Sequence, residues 1–273
     1  MPRRPCRPGA GVLGHGHRSC GGSGGGRRLL RWGLRLRLRR IGLLRCGQVH
    51  PAAREVAGCY PELFASLLAP YPVELTTFDA DRGELPSSPD ELDGWIISGA
   101  RASVLDAAGW LDDTSDFVEQ ALAAERPVVG VCFGHQLLAK IAGGRVDRAA
   151  GGWGVGVQPY DVVGRRDWMR PAADRFRLIA SHEDQVVELP PEGSLLASSD
   201  SCPNAMFALG ERAFGVQAHP EFTVPATRVL IDAREELFGV RTAATARASL
   251  DDRPPSALFA SWIASFLDVT VAA

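Results

Sequence analysis

The sequence predicts an α/β fold in which a parallel sheet is covered on both faces by helices, with additional short strands in its second half. Two observations carry that expectation. Between residues 40 and 144, short apolar runs alternate with stretches of helical spacing across short connections, and such alternation builds a parallel sheet. After Gly151 the pattern becomes a series of brief β-like runs, followed by two closing helices. There is no internal repeat, and 273 residues suffice for one large α/β domain. Residues 40–273 are therefore read as a single domain.

The elements follow in order. "RIGLLRC" (40–46) is a short buried strand. Residues 51–69 have helical spacing, with Val56, Tyr60, Leu63, Phe64, Leu67 and Leu68 mostly on one side, and Pro61 marks a break or a restart. "VELTTF" (73–78) alternates as a strand does, and "DGWIISG" (93–99) is a second buried strand ending in glycine. Residues 111–125 form a helix with acids in its first turn, where the helix dipole favours them. "PVVGV" (127–131) is a strand, and "HQLLAKIAGG" (135–144) is a helix stopped by Gly143 and Gly144. The β-like runs are 155–163, 176–182, 185–190, 194–199, 205–210 and 213–218. The closing helices span about 223–238 and 255–268, with an Arg/Ala/Pro-rich loop over 239–254.

The charge is unevenly placed. Residues 1–40 hold 11 arginines and no acid, which leaves 19 basic and 32 acidic residues for 41–273, a net of −13. A body this acidic is a poor nucleic-acid binder, because phosphate contacts need concentrated positive charge. Residues 1–39 are Gly/Arg/Pro-rich and cannot bury enough apolar surface to fold alone, so they are read as a disordered extension outside the native protein. A transit peptide or a basic arm is the other reading of this segment. Cys6, His15, His17 and Cys20 match no zinc-ligand spacing, so no metal is expected. No apolar run of membrane-spanning length occurs, so no membrane partner is expected. Six cysteines without a CxxC pair fit a reducing, cytoplasmic compartment, with Cys46, Cys59 and Cys202 as apolar fillers.

The chemistry concentrates at "GVCFGHQ" (130–136), where a strand runs into a helix. A nucleophile on such a turn needs small neighbours two residues before and after it, and Gly130 and Gly134 flank Cys132 in that way. The helix N-terminus favours a thiolate, and its free N–H groups, beginning with that of Phe133, can bind an oxyanion. A thiolate also needs a base. His135 is too close along the helix, whereas His219 in "AHPEF" is followed by a stiffening proline and by Glu221, which can orient the imidazole. The opposing reading makes Cys132 a packed core cysteine and His219 a turn residue.

"GVCFGHQLLA" followed by "GVQAHPEF" resembles the class I, triad-type glutamine amidotransferases. The resemblance implies a flavodoxin-like parallel sheet and a catalytic triad of Cys132, His219 and Glu221. It also implies hydrolysis of glutamine to glutamate and ammonia through a glutamyl thioester, without a cofactor. "WIISGARAS" (95–103) lies where the family carries its oxyanion strand, usually Gly-Gly-Pro. Here the residues are Gly99-Ala100-Arg101, so the implied oxyanion hole is formed by Gly99, Ala100 and Phe133. Gln136 matches a position near the bound glutamine, and "SHEDQVVELP" (181–190) resembles the Ser-His-x-Asp segment that brings His182 and Asp184 to the cleft. Arg101 is either solvated or meets a substrate carboxylate at the cleft mouth.

No ATP-pyrophosphatase loop or P-loop occurs, so an ammonia acceptor would be a separate synthetase subunit. The combination of "ISG" with a small-residue turn, "CFGHQ" and a Ser-His-x-Asp segment also resembles γ-glutamyl peptidases, which apply the same thioester chemistry to glutathione-like conjugates. Both substrates are small γ-glutamyl molecules. The remaining alternative is a non-catalytic binding module of the same fold.

Overall fold

The computed structural model describes residues 38–252 and 256–269. The expectation for residues 1–39 lies outside these, apart from its last two positions. Arg39 already belongs to the fold, because β1 (Arg39–Leu44) starts one residue before the expected boundary and Arg39 Nε donates to the Asp268 carbonyl at 3.1 Å.

The helical stretch after β1 splits into α1 (Pro51–Ala57) and α2 (Tyr60–Leu68). Pro61 restarts the helix, since the first turn of α2 has no use for its missing N–H. The Cys59 N–H donates to Glu62 Oε2 at 2.8 Å, closing a capping box. β2 (Val73–Phe78), β3 (Gly94–Ile97), α3 (Gly109–Ala123), β4 (Val128–Val131) and α4 (Phe133–Ile141) follow as the periodicity implies. The second half supplies β5 (Arg145–Arg148), β6 (Gly154–Val162), β7 (Arg175–His182), β8 (Asp184–Glu188), β9 (Gly193–Ser198), β10 (Met206–Leu209) and β11 (Ala213–Val216). The sequence reading omitted β5, which has one buried residue, Val146, among charged ones.

The main sheet runs β2-β1-β3-β4-β11-β10-β9-β6-β7. Its first five strands are parallel, and from β11 onward every pairing is antiparallel. β5 and β8 form a separate antiparallel pair. Side chains alternate across the parallel half, as the strand repeat of two requires. Ile41, Leu43, Ile96, Val129 and Val131 face a core shared with α1, α2, α5 (Val224–Ala233) and α8 (Ser256–Phe266). Leu44, Trp95, Ile97 and Val128 face a second core beneath α3 and α4. Trp95 is fully buried there, with its indole N–H donating to the Pro89 carbonyl at 3.1 Å and its ring edge-on to Phe117.

Two expectations for the C-terminal region are corrected. The helix over 223–238 breaks at Arg234, which leaves α5 and a short α6 (Glu235–Phe238). The expected loop over 239–254 is mostly α7 (Val240–Ser249). Its alanines are strong helix formers, and their small side chains let α7 lie directly on β6. The Val157 N–H donates to Ser249 Oγ at 2.8 Å across that contact. Cys46 and Cys202 are buried free thiols, and Cys59 is buried. Among the described residues no helix is long and apolar enough to cross a membrane.

Gly156 is the tightest point under α7. Its φ is +85°, and a methyl group there would sit 2.5 Å from Ser249 Oγ and 2.8 Å from Ala246 Cα. Gly156→Ala is expected to destabilise the protein by about 2 kcal/mol or more, read as a lower urea midpoint. A midpoint equal to wild type would show that α7 does not need this close approach.

Candidate active site

The chain leaves β1 towards β2 on one side and returns to β3 on the other, so strand order reverses between β1 and β3. Open α/β sheets bind ligands beyond the carboxyl ends of strands at such a point. Here the segments after β1, β3, β4 and β11 contribute Gln48, Ala100, Cys132 and His219 to one cleft of about 340 Å³.

Cys132 joins β4 to α4 with φ 53° and ψ −100°, a strained conformation for any residue but glycine. The flanking glycines permit it. A methyl group on Gly130 would lie 2.4 Å from the Gly134 carbonyl oxygen, and one on Gly134 would lie 2.5 Å from the Ile97 carbonyl oxygen. The Gly-x-Cys-x-Gly spacing is therefore a packing requirement of the first turn of α4 against β4 and β3. The Cys132 N–H donates to the Val216 carbonyl at 2.9 Å, which ties the elbow to β11.

Three residues beyond Val216, the His219 N–H donates to the Ile179 carbonyl of β7 at 2.7 Å. Its ring stacks on Phe222 with centroids 3.9 Å apart, and Nδ1 lies 2.7 Å from Glu221 Oε1. A carboxylate only accepts, so Nδ1 carries the proton and Nε2 is the other functional nitrogen. Cys132 and His219 line the same cleft, and the Cys132 sulfur is near enough to act on the charge of the His219 ring. Cys132, His219 and Glu221 are all buried. Burial works against protonation of His219, but the Glu221 carboxylate, then the Cys132 sulfur, outweigh it and push the imidazole up to about 10. The other free thiols behave differently. Burial, then the charge of Asp81, pushes Cys46 well above the ordinary thiol range, and burial, then Cys132, pushes Cys202 up to about 12. Both are inert fillers.

Opposite the elbow, the Ser98 hydroxyl accepts from the Cys46 N–H at 3.0 Å and donates to the Gly99 carbonyl at 2.9 Å. Pinning that carbonyl fixes the peptide plane, so the Ala100 N–H points the other way. Among the described residues, the amides of Ala100 and Phe133 donate to no protein acceptor. Gln136, buried in α4, donates to the Asp184 carbonyl at 2.8 Å and to Gln217 Oε1 at 3.2 Å. His182 lies 3.2 Å from the same carbonyl through Nδ1. Burial first, with the charge of His219 adding to it, lowers His182 to about 4 and keeps it neutral at pH 7. The Asp184 carboxylate accepts from Ser103 Oγ at 2.5 Å. Arg101 is exposed at the rim of the cleft. His135 is fully buried away from the cleft, with its ring 4.8 Å from Phe207.

Sequence reasoning missed Gln217, whose Nε2 donates to Cys132 Sγ at 3.6 Å while its oxygen receives Gln136. A glutamine ending the apolar run "AFGV" was the available signal. It also missed Tyr60, Trp153 and Arg234, which line the cleft from helices and loops distant in sequence.

Comparison with known proteins places these residues in context. Residues 63–231 match the model of the family described as glutamine amidotransferase class-I. The chain is 29% identical over 179 residues to γ-glutamyl peptidase 3 of Arabidopsis thaliana, covering 62% of this chain and 71% of that protein. It is 32% identical over 139 residues to a glutamine-hydrolysing GMP synthase subunit from Methanothermobacter thermautotrophicus, covering 50% and 74% respectively. A glutamine amidotransferase structure from Thermotoga maritima superposes with a TM-score of 0.67 at 20% identity, over 85% of this chain and 99% of that one, which is likeness of fold.

The raised His219 has a definite pH signature. Its folded pKa of about 10 lies above the ordinary 6.5. The stability it contributes is therefore complete below about pH 6.5 and is lost as the pH rises towards 10. An NMR titration should show the His219 ring still protonated at pH 8, and Glu221→Gln should move its midpoint down. A wild-type midpoint near the ordinary value would refute this electrostatic arrangement.

Proposed function

The chain belongs to the class I glutamine amidotransferase family, and on that premise we propose that it is a cysteine-dependent γ-glutamyl amide hydrolase. The observation that carries this reading is Cys132 on a strand-to-helix elbow, facing the same cleft as a His219 that is hydrogen-bonded to Glu221.

In this reading the Cys132 thiolate attacks the γ-carbonyl carbon of the substrate, and the resulting oxyanion is held by the N–H groups of Ala100 and Phe133, on the turn that Gly99 begins. The His219 imidazolium gives its Nε2 proton to the departing nitrogen, the C–N bond breaks, and a glutamyl thioester remains on Cys132. Water then enters and His219 takes its proton. The second tetrahedral intermediate collapses to glutamate and thiolate. Glu221 fixes the tautomer and balances the imidazolium charge. Gln136, His182 and Asp184 line the acyl side of the cleft, and Arg101 stands at its mouth. Catalysis of this kind asks for no metal or organic cofactor.

Two substrates fit the same acyl chemistry. With glutamine the product is ammonia, which a separate synthetase would consume, by analogy with the GMP synthase relative. With a γ-glutamyl peptide the leaving group is an amino acid or peptide, a reading supported by similarity to γ-glutamyl peptidase 3. The cysteine chemistry is common to both.

Incubation with glutamine and with glutathione should release glutamate and leave a transient glutamyl mass on Cys132. Cys132→Ala should reduce turnover by a factor on the order of 10⁴ or more. Retention of activity in that variant, or in His219→Ala at close to the wild-type rate, would remove the residue concerned from its assigned role.

A further inference from the structure

The mouth of the cleft carries two guanidinium groups that have no ion-pair partner among the described residues. Arg101 lies on the turn after β3, and Arg234 lies at the junction of α5 and α6. Among the described residues neither forms an ion pair, and each acts on the other as a like charge. Burial first, then Arg101, lowers Arg234, and burial, then Arg234 and Arg101, lowers the neighbouring His50. Arg234 is held in place by aromatic rings, its guanidinium lying 4.9 Å from the centroid of Trp153 and 5.1 Å from that of Phe238.

The carboxylates of the same cleft are engaged elsewhere. Glu183 lies 3.5 Å from Arg148, Asp184 accepts from the Ser103 hydroxyl, and Asp106 accepts from the Ser103 N–H at 2.9 Å. Two guanidiniums that line one cleft and lack an ion-pair partner among the described residues can bind the same carboxylate. Arg101 directly follows Ala100, the residue whose N–H faces the scissile carbonyl in the proposed reaction, and both line the cleft. Glutamine brings no charge to that side, because its leaving group is ammonia.

We propose that Arg101 and Arg234 together receive a carboxylate on the leaving-group half of the substrate, which makes a γ-glutamyl amino acid or peptide the preferred substrate over glutamine. This rests on the hydrolase reading above and adds its specificity-determining residues. The same pair disfavours γ-glutamyl amides whose leaving amine carries a second positive charge.

The test compares γ-glutamylglycine, its C-terminal amide and glutamine on the full chain, with Arg101→Gln, Arg234→Gln and the double variant. Wild type should favour γ-glutamylglycine over the amide by roughly tenfold in kcat/KM. Each single variant should lose about tenfold on the acid, with changes under about threefold on the amide and glutamine. Retained activity on the neutral substrates reports that the fold is intact. Arg101 is exposed on a loop, so its variant and the wild-type preference suffice should Arg234→Gln fold poorly. Equal losses on all three substrates would assign the arginines to the acyl half, and a wild-type preference for the amide would remove the carboxylate; either overturns the inference while the hydrolase reading stands. Absence of Cys132-dependent product from every substrate would overturn the hydrolase reading itself, and the inference with it.

Discussion

The pairing of β4 with β11 is the constraint on which the site depends. It is parallel and joins segments 85 residues apart, from Val128↔Ala213 to Val131↔Val216. One step beyond that register, the Cys132 N–H reaches the Val216 carbonyl. The backbone hydrogen bond that closes the ladder thus fixes the elbow against the strand that delivers Gln217 and His219. A one-residue slip would turn every side chain of β11 to the other face. Gly215 and Gln217 would then exchange faces with Val216 and Ala218, and the cleft would lose its contact with the base. The intervening β5–β10 cost closure entropy only weakly, because that cost grows with the logarithm of loop length. They also supply β7, whose Ile179 carbonyl anchors His219.

The buried Glu221–His219 pair is better understood through chemistry than through stability. Removing two ionised groups from water costs several kcal/mol each, and a well-packed apolar pair would often be equally stable. Glu221 Oε2 is buried and has no protein hydrogen-bond partner among the described residues, so the carboxylate is under-satisfied and its charge is directed into His219. The result is an imidazole held cationic next to a sulfur in a protected site. His182 shows the contrast: the same residue type, also buried, is driven neutral, chiefly by that burial. Two histidines in one cleft therefore differ in charge at pH 7, His219 being cationic and His182 neutral.

Legibility in the sequence follows from locality. The parallel half was readable because each strand is short, apolar and bounded by a helix of clear period, and Gly130 and Gly134 announced the elbow through a steric demand that only glycine meets. The Cys–His–acid pattern was readable because Pro220 and Glu221 are sequence neighbours of His219. α7 was not, since an Arg- and Ala-rich stretch has no apolar stripe and its helix is justified by a long-range fit onto Gly156. β5 escaped because it pairs only with β8 and buries a single valine. Gln217 was hidden inside an apolar run, and Arg234 acquires meaning only when the break between α5 and α6 brings it over Trp153. The pairing of Arg101 with Arg234, across more than a hundred residues, has no local signature at all.

This division between legible and hidden residues matches a division of labour in the fold. The groups proposed to react stand at strand ends, where backbone ladders hold them: Cys132 after β4, His219 after β11 and the Ala100 amide after β3. Rigid strands suit atoms that must keep hydrogen-bond distance from a changing carbonyl. Arg101, Arg234, Trp153 and His50 instead stand on turns and helix termini around the mouth. Those segments can change without altering the sheet, and binding preferences commonly reside on loops carried by a rigid scaffold. An amide hydrolase built this way has a fixed acyl chemistry and a separately adjustable leaving-group side. Shared fold and shared cysteine chemistry therefore define the reaction class, while the guanidiniums at the mouth bear on which amide is cut.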